Sequence, residues 1–394
     1  MTRPFHIGLI MKGSREWAGG IEYIKNLVLA LGSLPQAVRS TFQVSLICNR
    51  TLDERLYRDM IPHLHQMFYE DEGLGTQKIL DRIRWRIMES LFDQRDKWYD
   101  DFLEKTGIDF AYPYCTTGKT SFRSTAWLYD FQHMAVRDFF SDQEIEDRNQ
   151  FFSFVARHAP VIIVSSEAAR SDLKRFFPEA LEKTKVLSFR AYPDPSWYEP
   201  DPVEVQKRYG LPDHFFSVSN QFWQHKNHLV LFQALNYLKS RSVFPVLVCT
   251  GHLYDPRRPG YSDTVLQTIH TLGIARQVYL LGLIPRSDQV QLLRRSLAVI
   301  QPSLFEGWST VVEEARCLSK PVILSDIPVH REQNPPEGLF FEPRSFEVLA
   351  DLLAQGWERL SPGPFPEEEA KARARALSDV QDFGYNFLTL AKGE

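Results

Sequence analysis

The stretch LAVIQPSLFEGWSTVVEEARCLSKPVILSDIPVHR, Leu297 to Arg331, decides the fold class. It opens on an apolar run ending at Gln301, crosses a short loop, and enters a helix predicted to start near Ser309. It closes on a second apolar run, Pro321 to Leu324. Both runs are continuously apolar rather than alternating, as strands covered on both faces are. Strand, helix, strand is the building unit of a parallel sheet. Ligands of such sheets bind beyond the C-terminal strand ends. Here that end delivers Pro302-Ser303, Glu306 and Gly307, then the backbone N–H groups of a helix start. Those amides and the positive end of the helix suit a diphosphate, and Gly307 lets the backbone come close to it.

The same pattern extends in both directions. Apolar β-type runs recur at Phe5 to Met11, Phe42 to Cys48, Thr125 to Tyr129 and Val161 to Ser165. They continue at Phe215 to Val218, Val246 to Cys249, Val278 to Leu281 and Ala298 to Ile300, with helix-like segments between. The fold class is α/β. At 394 residues the chain is long for one core, so at least two domains are expected. The proline-dense AYPDPSWYEPDP, Ala191 to Pro202, cannot continue a helix or a central strand and reads as the linker. The segment from Pro366 begins with an acidic run at a helix N-terminus, where negative charge is favoured.

Glu306 and Glu314 stand eight positions apart, one before the helix and one inside it. Carboxylates so placed can accept hydrogen bonds from sugar hydroxyls on opposite sides of a phosphate; a bare pair at this spacing is otherwise a loop acid and a solvated helix acid. The surrounding residues decide between these readings. Pro302-Ser303-Leu304-Phe305-Glu306-Gly307-Trp308-Ser309, ending at Glu314 and followed by Lys320-Pro321-Val322-Ile323, resembles the retaining glycosyltransferases of family four (glycosyl transferases group 1). Their signature runs Pro-Ser, two residues, Glu-Gly-Phe-Gly, then Glu at the eighth position. Trp308 replaces the usual Phe and preserves the aromatic. Ser309 replaces the second Gly and is expected to offer its backbone N–H.

A second element, FFSVSNQFWQHKNHLVLFQAL at 215 to 235, resembles the family's strand, Gly-Arg loop and Lys-Asn before a helix. The resemblance places Lys226 on the donor diphosphate, with the neutral Gln221 at about the position of the usual arginine. Gly251 and Leu283 fall where the family contacts base and ribose, and Thr310 follows Ser309 into the helix start. In the N-terminal half, Gly19-Gly20 resembles the glycine loop beside the phosphates. His133, in WLYDFQHMAVRDFF, matches the histidine that reaches the donor sugar. The resemblance thus implies a GT-B fold of two Rossmann-like domains facing each other across a cleft. Residues 1–195 would form the acceptor side and 196–365 the donor side, with 366–394 a helical segment packing back on the N-terminal domain. It implies catalytic Glu306 and His133, and transfer with retention and without a metal ion. It implies no cofactor beyond the UDP- or GDP-linked sugar itself, and a saccharide or lipid-linked acceptor.

Several chemistries are set aside. A net charge of -4 gives no footprint for nucleic acid. Cys48, Cys115, Cys249 and Cys317 form no Cys-x-x-Cys pair and read as buried thiols in a reducing compartment. TTGKT at Thr116 to Thr120 has Pro113 where a phosphate loop needs its first glycine. There is no Gly-x-Ser-x-Gly elbow and no Asp-x-Asp for a metal-bridged diphosphate; His63 and His65 read as surface residues. No run approaches the roughly 18 apolar residues of a membrane span, and the N-terminal apolar stretch is short for a signal peptide. A cytoplasmic location is expected, with the inner membrane face as the alternative. The basic helix-like stretch Lys78 to Trp98 carries an isoleucine row that either faces the core or lies on a lipid surface. Three function classes follow: a glycosyltransferase, a nucleotide-sugar epimerase or hydrolase on the same fold, and a non-catalytic sugar-nucleotide-binding subunit.

Overall fold

The computed structural model describes residues 3–13, 18–70, 97–116, 118–255 and 257–394. The stretch Lys78 to Trp98 lies outside them except for its last two residues, which open the helix Lys97–Lys105. The described chain divides into two compact units. Residues 1–129, 148–190 and 379–394 form the first, and residues 130–147 and 191–378 the second. Residues 130–147, expected in the N-terminal domain, therefore group with the second unit. The long helix Pro366–Lys392 contributes to both.

All the described strands pair in parallel. In the first unit β1 (Phe5–Ile10), β2 (Phe42–Cys48), β3 (Gln66–Tyr69), β4 (Phe110–Tyr112) and β5 (Arg123–Ser124) order as β3-β2-β1-β4-β5. β6 (Ala126–Leu128), β7 (Ile162–Val164) and β8 (Thr184–Val186) form a second ladder. In the second unit β9 (Phe216–Ser219), β10 (Leu247–Thr250), β11 (Val278–Gly282), β12 (Val299–Gln301), β13 (Val322–Ser325) and β14 (Gly338–Phe341) order as β11-β10-β9-β12-β13-β14. β9, β10, β12 and β13 are buried along their whole length, which is why they read as unbroken apolar runs. The strands missing from the sequence reading are the short or edge ones: β3, β4, β5, β8 and β14. The chain order reverses between β9 and β12. That is the switch point where α/β sheets open a crevice at the strand ends.

The proline-rich stretch after Arg190 is not a loose tether. Trp197 and Tyr198 pack on the cluster that holds Val290, Leu293, Val312 and Leu324. The Tyr198 hydroxyl donates to the Cys317 carbonyl at 2.9 Å. Proline bars a long helix or a central strand here but not burial, and two large aromatics supply the apolar area that anchors the stretch. All four cysteines are buried and unbonded to one another. Among the described residues no helix is long and apolar enough to cross a membrane.

The helix Thr310–Cys317 stops in a Schellman turn. Ser319 takes the left-handed conformation (φ 51), the Lys320 N–H reaches the Ala315 carbonyl at 2.9 Å, and the Ser319 N–H reaches Arg316. This closes the helix and aims the chain into β13. It also buries Lys320, whose amine donates to the Arg294 carbonyl at 3.2 Å and lies over the Phe365 ring. Burial pulls this lysine down to about 7, against the upward pull of Glu369. The unfolded chain, with an ordinary lysine, therefore binds more protons than the folded one between pH 7 and 10.5. Stability from this site rises with pH across that window and is flat below it. Relative to wild type, Lys320→Met should therefore gain more stability at pH 6 than at pH 8.5, by roughly 2 kcal/mol. Urea unfolding at the two pH values measures this; a difference of zero or of opposite sign would mean the amine keeps its charge when buried.

Candidate active site

The switch point brings together the ends of β9 and β12, 81 positions apart in sequence. There the Asn220 side-chain amide donates to the Gln301 side-chain carbonyl at 2.7 Å. Gly251, just beyond β10, sits against this floor at φ 127, and a Cβ there would lie 2.1 Å from the Asn220 carbonyl oxygen. Only glycine fits, for steric and dihedral reasons together. The close approach to the Asn220 carbonyl is a structural requirement for glycine here, beside the ligand contact expected from sequence.

Lys226 reaches Glu306 from the next loop. Asn227 follows it in the left-handed conformation (φ 59), and its amide donates to the carbonyls of Pro302 and Pro343 at 3.0 and 2.8 Å. The Leu304 N–H donates to the His225 carbonyl at 2.8 Å. These bonds tie the lysine loop to the glutamate loop. Glu306 then receives Lys226 Nζ at 2.6 Å, Gln301 Nε2 at 2.8 Å and Ser303 Oγ at 2.6 Å, all on Oε1. Its Oε2 makes no hydrogen bond to any described residue. A charge-assisted cluster of this kind fixes the carboxylate plane and leaves one oxygen to accept from a ligand.

The helix Thr310–Cys317 starts one residue after its N-cap, Ser309. Here the structure corrects an expectation. The Ser309 N–H, expected to be available, donates to Gln333 Oε1 at 3.2 Å, while Gln333 Nε2 returns a bond to the Ser309 carbonyl at 3.0 Å. Gln333 thus pairs with this backbone as a neighbouring strand would and fixes the helix start. Within the helix, Glu314 is nearly inaccessible and holds a two-pronged ion pair with Arg286. Arg286 Nη2 lies 2.6 Å from Oε1 and Nη1 3.2 Å from Oε2. The guanidinium also contacts Gln289 and lies over the Trp197 ring. Such a fork sets the carboxylate orientation while leaving each oxygen a further lone pair.

The remaining candidates are spread more widely. Gln221 and Gly307 are half-buried and Trp308 is buried, flanking the cluster in sequence; Thr310 is the first helical residue. Leu283 is 66% exposed, just past β11. His133 is fully buried in the single-turn helix Gln132–Ala135 of the second unit. Gly19 and Gly20 belong to the first unit and lie in the opening turn of the helix Ala18–Gly32. A Cβ on Gly20 would meet the Lys12 carbonyl at 3.0 Å. Among the described residues no three His, Cys, Asp or Glu side chains gather as metal ligands. Arg286 and Gln333 escaped the sequence reading. Each acts from an element whose own pattern only says amphipathic helix.

Residues 205–359, which carry this whole cluster, match the family model for glycosyl transferases group 1. An uncharacterized glycosyltransferase of Methanocaldococcus jannaschii is 23% identical over 256 residues, 59% of this chain; the match spans 58% of that relative's length. Among solved structures, the Anabaena protein HepE, determined with UDP and glucose, superposes with a TM-score of 0.65 at 17% identity, over 99% of this chain and all of the other. The sucrose-phosphate synthase of Thermosynechococcus elongatus gives 0.66 at 16% identity, over 99% and 97%. The fold of this chain is therefore GT-B, and its glycosyl transferases group 1 stretch contains Glu306, Glu314, Lys226 and their supports.

Proposed function

We propose that this protein transfers a sugar from a UDP- or GDP-linked donor to a saccharide or lipid-linked acceptor, with retention of anomeric configuration and without a metal ion. The observation that carries the proposal is the division of labour within Glu306. One oxygen takes three donors, a lysine among them, and the other is left to accept from a sugar hydroxyl. Lys226 stands where a leaving diphosphate needs a positive charge, and a preorganised cation there can do what a divalent ion does elsewhere. Glu314, oriented by Arg286, accepts from the nucleotide ribose. Retention, His133 as a second contact of the sugar and Gly19-Gly20 beside the phosphates follow from the resemblance of the motifs. HepE, whose structure holds UDP and glucose, supports a nucleotide-sugar partner. A cytoplasmic site of action, at the inner membrane face if the acceptor is lipid-linked, fits such a donor.

The test begins with a thermal-shift panel of nucleoside diphosphates, because a ligand of the native state raises its stability by mass action. The preferred nucleotide sugar is then turned over with candidate acceptors in EDTA. Unchanged turnover and a product of the donor's anomeric configuration are expected. Complete loss in EDTA with recovery in manganese or magnesium would refute the metal-free reading. Turnover without any acceptor would point to a hydrolase or epimerase, and tight binding with no turnover to a binding subunit.

A further inference from the structure

Behind the Glu306 loop lies a second row of completely buried side chains, of which Ser325 and His330 stand outside the sequence signature. His330, in the short helix Pro328–Gln333 after β13, directs Nδ1 at the Ser325 carbonyl at 2.9 Å and at Ser325 Oγ at 3.2 Å. A carbonyl only accepts, so Nδ1 carries the proton and the ring is the Nδ1–H tautomer. Ser325 Oγ in turn donates to the Ser303 carbonyl at 2.5 Å. Ser303 Oγ donates to Glu306 Oε1 at 2.6 Å. His330, Ser325 and Ser303 are all 0% exposed. Burial lowers the histidine from its usual value, partly offset by the nearby charge of Glu306. The imidazole is therefore held neutral close to the carboxylate.

We infer that His330 is a positioning residue for Glu306, setting its carboxylate through Ser325 and Ser303. The reasoning rests on the reading of Glu306 given above. Lys226 alone would hold the carboxylate by charge, which fixes distance but not plane. Ser303 supplies direction only if its own backbone cannot shift, and the Ser325 hydroxyl is what pins that carbonyl. The His330 N–H, directed at both the carbonyl and the hydroxyl oxygen of Ser325, is what holds that side chain in place. A supporting row of this kind decides whether a reacting group is held within a few tenths of an ångström, and a misplacement of about 1 Å can cost a hundredfold in rate.

The test is a double-mutant cycle on steady-state kinetics with the nucleotide-sugar donor. His330→Leu should lower kcat roughly tenfold or more with little change in nucleoside diphosphate affinity. His330→Asn, whose side-chain amide N–H stands where Nδ1–H stands, should recover most of the loss, whereas His330→Gln should not. In a Glu306→Gln background, His330→Leu should cost little more, because its effect runs through the carboxylate. Ser325→Ala, a smaller change for folding, should reproduce the His330→Leu loss. The same fold-loss with and without Glu306 would overturn the inference, as would rescue by Gln rather than Asn. A silent Glu306→Gln would instead sink the underlying reading of the site, a distinguishable failure.

Discussion

Glu306→Gln is expected to lower kcat by roughly 10²- to 10³-fold, the range for one strategically placed electrostatic contact, while leaving nucleoside diphosphate binding no weaker. The substitution is nearly isosteric. Its amide oxygen can take the place of Oε1 among Lys226, Gln301 and Ser303, so the loop keeps its shape. What changes is the charge and the second oxygen, which becomes a donor where the sugar needs an acceptor. As the bond to the diphosphate breaks, the sugar gains positive charge, so a nearby carboxylate matters more in the transition state than in the ground state. The product nucleotide has no sugar to feel the loss, and Lys226, relieved of its counter-ion, is no worse a partner for the diphosphate. Glu314→Gln should behave differently. Ribose contacts persist through the reaction, so donor KM should rise and nucleoside diphosphate affinity fall by about 10- to 150-fold, as for one charge-assisted hydrogen bond. Steady-state kinetics beside calorimetry with the diphosphate measures both. Wild-type behaviour in both variants would remove the site from this loop; exchanged behaviours would only exchange the roles.

The elements of this site that could be read from sequence are those in which one short segment carries the whole signal. Pro302 to Glu314 holds strand end, loop, N-cap and helix within a few residues, so its periodicity and its resemblance point the same way. Lys226-Asn227 was legible for the same reason, a lysine before a predicted helix. The Glu306–Lys226 pair, 80 positions apart, was not. Its existence depends on the sheet order that puts β9 beside β12. Arg286 was hidden because it opens a polar helix where an arginine is ordinarily solvated. Gln333 was hidden because a neutral amide has no pattern at all, although it holds both backbone groups of Ser309. The proline-rich stretch shows the same limit. Its prolines leave only the short turn Pro195–Trp197 before the helix Pro202–Arg208, but they carry no information about where Trp197 and Tyr198 are buried. Conversely, β4 and β5, three and two residues long, sit in no apolar run that stands out from its surroundings in sequence. Their pairing is dictated by the sheet.

The acidic run Glu367-Glu368-Glu369 shows how a local rule can be satisfied by the wrong residue, and it sets up the largest stability effect expected here. Acids at a helix start complement its dipole, yet Glu369 is turned inward. Its two oxygens accept from Arg294 Nε and Nη2 at 3.1 and 2.9 Å, and both side chains are only 4% exposed. Arg294 Nη1 donates to the carbonyls of Trp197 and Pro200 and to Gln291 Oε1. One guanidinium thus joins the linker, the helix Arg286–Arg295 and the start of the C-terminal helix, all within the second unit. Both ions have lost their water, so removing one strands the other. Glu369→Ala should destabilise the protein by about 3–5 kcal/mol, the range for breaking a buried pair. The stranded charge, more than the lost contact, sets this figure, which leads to a sharper expectation. Replacing both partners with apolar side chains of similar size, Arg294→Met with Glu369→Leu, should recover much of the loss, because no buried charge remains to be solvated. Lys320 should respond too: Glu369 pulls its pKa upward, so in Glu369→Ala its amine should lose its proton at still lower pH. Urea unfolding of the two variants and the wild type measures the effect. A loss under about 1 kcal/mol in Glu369→Ala would show the pair behaving like an exposed one, and the linker would then be held by the packing of Trp197 and Tyr198 and by its hydrogen bonds to Cys317, Gln291 and Arg294.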